Sequence, residues 1–270
     1  MKPFIQIHEA YKQGRDHTNH NEDAVYSAKI NDRYYLLAAM DGCSGGDESV
    51  FASHLYKKIL KSLVPKIAPI DNGVSDSAKW IFDELHICFY SCLKSIKYQL
   101  DLNICELEST LLTCIVDVQT QQYEMGFFGD GFFVVDDNVI ENDQDNIPLY
   151  PGVFVDEGFK VYKSKMVRHN GYFIRNIGVA SDGVSSFRES EFNEKVNVYF
   201  DLLIDEWFWR NDDALNRKVK LLTTGKGKTE YKGQPLYHTD DVSISRLTLI
   251  PYEIKETLIE LPIVNAENSQ

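Results

Sequence analysis

No apolar run in this chain of 270 residues approaches the ~20 needed to cross a bilayer as a helix. No membrane partner is therefore expected. The start, MKPFIQIHEAYKQGRDH, alternates apolar and polar residues and lacks the continuous apolar stretch of a secretory signal, so the chain is expected to stay in the cytoplasm. Cysteine is scarce: Cys43, Cys88, Cys92, Cys105 and Cys114 form an odd set without a Cys-x-x-Cys pair. A disulfide framework and a zinc finger are both disfavoured, and a reducing compartment fits. Cys88 and Cys92, four apart in a stretch of helical period, read as core thiols. Positive charge is also short, with 28 Lys and Arg against 41 Asp and Glu and a net charge of −13. A polyanion is a poor partner for such a chain, so no nucleic acid is expected. Repeats, low-complexity tracts and convincing linkers are all missing, and one domain over 1–270 is the simplest organisation.

What is present is a globular pattern rich in aromatics. Residues 3–8 and 24–30 read as strands, and RYYLLAAM at 33–40 as a central strand ending at Asp41-Gly42. Glu48 to Leu63 carries Phe51, Leu55, Ile59 and Leu63 at a helical interval. A second helix after Ser77 places Ile81, Leu85, Cys88, Cys92 and Ile96 on one face. STLLTCIVDV (109–118) and QYEMGFF (122–128) form a hairpin, and Gly129-Asp130-Gly131 turns into FFVVDD. Short strands are expected across 153–181, a helix over 190–209, a loop over 223–235 and a last strand from Val242 to Ile250. Consecutive hairpins beside a few helices predict an α+β fold with largely antiparallel sheets and helices packed outside.

A surplus of acid usually means a solvated surface, but carboxylates that converge on one place require cations. Four acidic sites share a local logic. Glu22-Asp23 precedes a strand, Asp41-Gly42 and Asp182-Gly183 each follow one, and Asp240-Asp241 opens the last. Strand ends put carboxylates on a rigid scaffold facing a common cleft, and Asp130 in its Gly-Asp-Gly turn is a fifth candidate. Singly, each Asp-Gly is the composition of an ordinary turn.

Jointly, N-E-D-A (21–24), D-G-C-S-G-G (41–46), G-D-G (129–131), A-S-D-G-V (180–184) and T-D-D-V-S (239–243) resemble the protein phosphatase 2C, or PPM, family of bacterial type. The blocks keep that family's order and approximate spacing over about residues 5 to 250. The resemblance implies two antiparallel β-sheets packed as a sandwich with helices on both outer faces. It also implies a centre of two Mg²⁺ or Mn²⁺ ions, with a weaker third, at one edge of the sandwich. By position, Asp41 bridges two ions and the Gly42 carbonyl binds one of them. Asp182 and Asp240 hold the other ion, Glu22 and Asp23 act partly through water, and Asp130 matches the third site. Hard cations prefer such oxygen ligands. Two ions about 3.5–4 Å apart lower the pKa of a bridging water, so phosphoryl transfer needs no covalent nucleophile. The implied activity is hydrolysis of phosphoserine or phosphothreonine in a phosphorylated protein, the product of a Ser/Thr kinase.

Two departures stand out. Many eukaryotic members carry Asp-Gly-His-Gly-Gly, whereas Cys43-Ser44 follows Asp41-Gly42 here. The family's phosphate-gripping arginine falls at Thr18, leaving Arg15 and His17 as nearby candidates for phosphate contact or proton donation. An exposed loop histidine is the other reading of His17. Cys43 lacks the arginine six residues on that a cysteine phosphatase requires, Ser49 standing there. G-K-G-K-T (225–229) lacks the upstream glycine of a P-loop, with Leu222 in its place. Trp207-Phe208-Trp209 reads as a helix end packed on the core or a docking patch, and Glu141 to Asp145 as a solvated loop near a segment, 138–176, that shapes substrate choice. Two rival functions remain: a catalytically weak phosphatase-like module that binds and regulates a partner, and a metal-dependent phosphodiesterase or nuclease.

Overall fold

Alternating and continuous apolar runs assemble into two five-stranded antiparallel sheets. The computed structural model describes residues 4–17, 19–43, 49–67, 77–144, 149–191, 193–205, 213–224 and 235–250. The first sheet has the order β1 (Phe4–Lys12), β12 (Val242–Ile250), β9 (Asn176–Ala180), β6 (Gly131–Val135), β7 (Asn138–Asn142). The second runs β2 (Ala24–Lys29), β3 (Tyr34–Met40), β4 (Leu111–Asp117), β5 (Gln122–Phe128), β8 (Val167–Tyr172). A short ribbon pairs β10 (Phe187–Glu189) with β11 (Leu236–His238).

The sheets stack face to face over Leu37, Leu112, Phe127, Phe133, Val179 and Leu247. Helices α1 (Ser49–Ile67), α2 (Ala78–Leu100) and α3 (Phe159–Lys165) cover the far side of the second sheet, over Leu36, Ala38, Ile115 and Phe128. Helix α4 (Ala214–Thr224) and the helical turn Phe200–Ile204 cover the far side of the first, over Ala10, Phe132 and Ile244. The expected α+β sandwich with helices on both outer faces is therefore the observed one. β3 reads as an unbroken apolar run because it is buried on both faces: Leu36 and Ala38 meet the helices while Leu37 and Ala39 meet the other sheet.

The helix α2 begins where Ser77 accepts a hydrogen bond from the Trp80 N–H and ends at Asp101 in the left-handed region (φ 54°). Its buried stripe, Ala78, Ile81, Phe82, Leu85, Phe89 and Leu93, keeps Ile81 and Leu85 of the expected face but turns from Cys88, Cys92 and Ile96 toward Phe82, Phe89 and Leu93, because the large aromatics dominate the seam. Cys88 and Cys92 consequently sit half-buried at its border and are not core thiols. Tyr56 on α1 is fully buried and donates to the Leu107 carbonyl at 2.6 Å, tying α1 to the segment before β4. Tyr56→Phe is expected to cost about 1 kcal/mol, from the hydrogen bond lost and the carbonyl left buried, seen as a lower urea midpoint with an unchanged m-value.

Several expected elements are corrected. Residues 153–165 hold no strand: a 3₁₀ turn at Pro151–Phe154 precedes α3, and Gly152 packs against Leu107. In place of a helix over 190–209, Lys195 bridges back to Arg188 and only Phe200–Ile204 is helical, with residues 206–210 outside the described residues. Glu141 and Asn142 belong to β7 and not to a loop. Residues 223 and 224 end α4. Trp207-Phe208-Trp209, the G-K-G-K-T stretch, Thr18, Ser44 and the Ser49 side chain lie outside the described residues.

Candidate metal centre

Strand register gathers the acidic sites at one edge of the sandwich. Ala24 at the start of β2 lies opposite Met40 at the end of β3, which sets Glu22-Asp23 beside Asp41-Gly42. Ile244 in β12 lies opposite Ala180 at the end of β9, which sets Asp240 beside Asp182. The two sheets join where Ser181 Oγ donates to Asp23 Oδ2 at 2.6 Å. Asp41 is fixed through its backbone: its N–H donates to Thr110 Oγ1 and its carbonyl accepts from the Thr110 N–H, each at 2.8 Å. The Gly42 N–H donates to the Glu22 carbonyl at 3.2 Å. Asp130 faces Asp182 from the turn between β5 and β6, with Oδ1 accepting from the Gln144 N–H at 2.6 Å.

Asp23, Asp41 and Asp182 lie close enough that the charge of each acts on its neighbour. Burial pushes Asp23 up to about 7, against the Ser181 hydrogen bond that favours its charged form. Burial, then the charges of Asp23, Asp182 and Asp240, hold Asp41 well above the usual carboxylate range. Asp182 is raised to about 6 by burial and by Asp240 and Asp130, and Asp240 is raised mainly by burial. Each ionised carboxylate thus penalises the next. Asp23 Oδ1 and Asp182 Oδ1 are buried and accept no hydrogen bond.

Among the described residues, no group of three or more His, Cys, Asp or Glu side chains is arranged to hold a metal ion as it stands. The donor set nonetheless fits hard divalent cations: it is all oxygen, anionic, mutually repelling and holds two buried acceptors in need of a positive partner. The groups that would hold such ions are Asp41, the Gly42 carbonyl, Asp182 and Asp240, with Asp23, Glu22 and Asp130 around them.

His17 lies against this cluster. Nδ1 is 2.8 Å from Asp241 Oδ2, Nε2 is 3.5 Å from Asp240 Oδ1, and Nδ1 is 4.0 Å from Glu22 Oε2. Burial alone would lower its pKa, but the Asp241 hydrogen bond and the charges of Asp241, Asp240 and Glu22 outweigh that and raise it. Arg15 is turned away: its guanidinium stacks on the Tyr237 ring, 3.8 Å from the centroid, and its Nε is 3.4 Å from Asp16. Cys43 and Tyr150 face each other beside Asp41.

Sequence reasoning did not single out Asp241 from its neighbour. Asp241 is almost wholly buried and accepts hydrogen bonds at both oxygens. Its backbone carbonyl packs so tightly on Gly183 that a Cβ there would fall 1.7 Å from the oxygen, which explains the glycine after Asp182. The doubled acid in T-D-D-V-S was the available signal, since one of two consecutive residues at a strand mouth must face inward.

No protein-family model and no curated protein matches this sequence. Solved structures do match in fold. The PP2C phosphatase domain of SpoIIE from Bacillus subtilis, with a fragment of its regulatory domain, aligns at 16% identity and TM-score 0.53, over 93% of this chain and 65% of that one. This chain therefore spans about two thirds of that structure. The serine/threonine phosphatase PstP/Ppp of Mycobacterium tuberculosis aligns at 16% identity and TM-score 0.55, over 92% and 99%. A PstP catalytic domain in complex with two manganese ions gives 15%, 0.54, 92% and 99%. A bacterial serine phosphatase variant reaches TM-score 0.60 at 15% identity, over 92% and 99%. The chain has the fold of the PP2C-type phosphatases.

Proposed function

We propose that this protein is a Mg²⁺- or Mn²⁺-dependent phosphatase that hydrolyses phosphoserine or phosphothreonine in proteins. The observation that carries the reading is the convergence of Asp23, Asp41 and Asp182, from distant parts of the chain, into one buried group of mutually repelling carboxylates. Concentrating like charge is costly to a fold and useful to a site that captures cations. The manganese in a structure of the same fold supports the choice of ion.

In this reading Asp41, the Gly42 carbonyl, Asp182 and Asp240 would hold the ions, with Asp130 beside Asp182 as a further ligand. A bound divalent ion supplies charge neutralisation at the phosphoryl oxygens and acidification of water. Thr110 holds Asp41 by its backbone, and Ser181 orients Asp23. His17, with Nδ1 2.8 Å from Asp241 Oδ2, would in its doubly protonated form offer the Nε2 proton to the leaving alkoxide. Arg15, stacked on Tyr237, would in this reading meet the substrate chain and not the reacting phosphoryl group.

The substrate is a phosphorylated protein, the counterpart of a Ser/Thr kinase's product, and the whole of 1–270 acts as one domain. No described helix is long and apolar enough to cross a membrane, in keeping with a cytoplasmic setting. The expected outcome is phosphate release from phosphopeptides that appears with Mn²⁺ and disappears with chelator, and that exceeds cleavage of a phosphodiester. Inert protein across a phosphopeptide panel and an aryl phosphate, with Mn²⁺ present, overturns the reading.

A second reading has a specific observation behind it. With Cys43 in place of a histidine and Arg15 turned onto Tyr237, the chain suits a phosphatase-like module that binds and regulates a partner. Partner binding unchanged by Asp41→Asn, together with negligible turnover, selects this alternative.

A further inference from the structure

We propose that Asp241 is a positioning residue: it locks Glu22 and His17 onto the Asp240 turn and so sets the shape of the cation site. The inference rests on the reading above and concerns a residue outside the ligand set.

Three segments meet at this side chain. The Gly14 N–H donates to Oδ1 at 2.6 Å, the Glu22 N–H donates to Oδ2, and His17 Nδ1 lies 2.8 Å from Oδ2. The Asp241 N–H in turn donates to Asp240 Oδ1 at 2.8 Å, and the Asp241 carbonyl packs on Gly183 beside Asp182. Glu22, Asp182 and Asp240 are thus all referred to one residue. The contact is tight: a Cβ on Gly14 would fall 2.3 Å from the Asp240 carbonyl carbon, and the Arg15 and Asp16 N–H groups donate to the His238 and Thr239 carbonyls at 2.9 and 3.0 Å. The chain from 14 to 17 therefore straps across the 238–241 turn.

The chemistry demands a carboxylate. Backbone N–H groups are obligatory donors, and one faces each oxygen of Asp241. An asparagine in either flip would set its NH₂ against one of them, leaving a buried donor without an acceptor. With Glu22 already donating to Oδ2, that oxygen also fixes which ring nitrogen of His17 is the donor: Nδ1–H points to Asp241, and Nε2 points to the ligand carboxylates. Groups that orient ligands from behind typically change metal affinity or activity by about 10–100-fold when removed.

The test is Asp241→Asn. In metal-free protein, nitrogen-15 spectra of the His17 ring should show Nδ1 protonated in the wild type and that signature lost in the variant. Calorimetric titration with Mn²⁺ alone should show affinity weakened about 10–100-fold. Wild-type signature and wild-type affinity in a folded Asp241→Asn protein overturn the proposal. If the variant does not fold, hydrogen exchange in the wild type decides: protected Gly14 and Glu22 amides support the clamp, and rapid exchange at both overturns it. A wild type that binds no Mn²⁺ sinks the metal reading, while the His17 spectra still judge the clamp.

Discussion

Asp41→Asn is expected to abolish Mn²⁺-dependent phosphate release and, in the same protein, to raise the melting temperature of the metal-free form. The two effects have one origin. Asp41 is held well above the usual carboxylate range by burial and by the charges of Asp23, Asp182 and Asp240, so its ionised form strains the native state. An amide of the same shape removes one repelling charge from the group. It also removes the shared ligand, and metal-borne charge stabilisation is worth several kcal/mol, or about 10³-fold and more in rate. In a chain of this size each kcal/mol relieved raises the melting point by about 2–4 °C. Turnover on a phosphopeptide and thermal scans in chelator measure the two halves. A variant that keeps its activity removes Asp41 from the mechanism. A variant that melts lower in chelator shows that the carboxylate was stabilising, contrary to the electrostatics.

Metal-free protein should lose stability as the pH rises from about 4 to about 7, opposite to the common behaviour of salt-bridged acids. The native state holds Asp23 up at about 7 and Asp182 at about 6, against an ordinary aspartate value of 3.8. Between those limits the folded chain binds more protons than the unfolded one, so stability is fullest at the acid end and falls as the pH passes the native values. The rise of Asp23 corresponds to on the order of 4 kcal/mol, or about 8–16 °C in melting temperature. Mn²⁺ at pH 7.5 should restore the loss by binding only the native state. Melting curves across pH, with chelator and with Mn²⁺, check both halves. A chelated protein whose stability climbs from pH 4 to 7 would contradict the raised pKa values.

Legibility of the fold in the sequence followed the strength of local signals. RYYLLAAM announced β3, since only a strand buried on both faces sustains such a run, and its end located Asp41. Val242 to Ile250 proved to be β12 to the residue. The convergence of the acids was legible from their places at strand ends, because strand ends meet in a sandwich. What failed was tertiary. The seam of α2 is chosen by Phe82 and Phe89 filling space against the second sheet, which periodicity alone did not rank above Ile81 and Cys88. Helix α4 went unseen because Leu215, Val219 and Leu222 are only three apolar anchors among polar residues. Arg15 was placed near the phosphate by proximity in sequence, whereas the strap onto residues 238–241 turns its side chain toward Tyr237. Asp241 was hidden by its neighbour, since nothing in the letters distinguishes which of two adjacent acids turns inward.

The bond from Ser181 to Asp23 crosses from one sheet to the other, and Ser27 and Ser245 make a second crossing at 2.7 Å farther along the same seam. Neither layer owns the acidic cluster: each brings half, and the halves meet only while the layers keep their mutual alignment. Sliding one layer past the other by a single residue would pull the halves apart without unfolding either layer. Anything that shears the sandwich, even when it grips the far end, therefore has mechanical leverage on the cluster, and divalent ions seated across the seam would act as rivets against that shear.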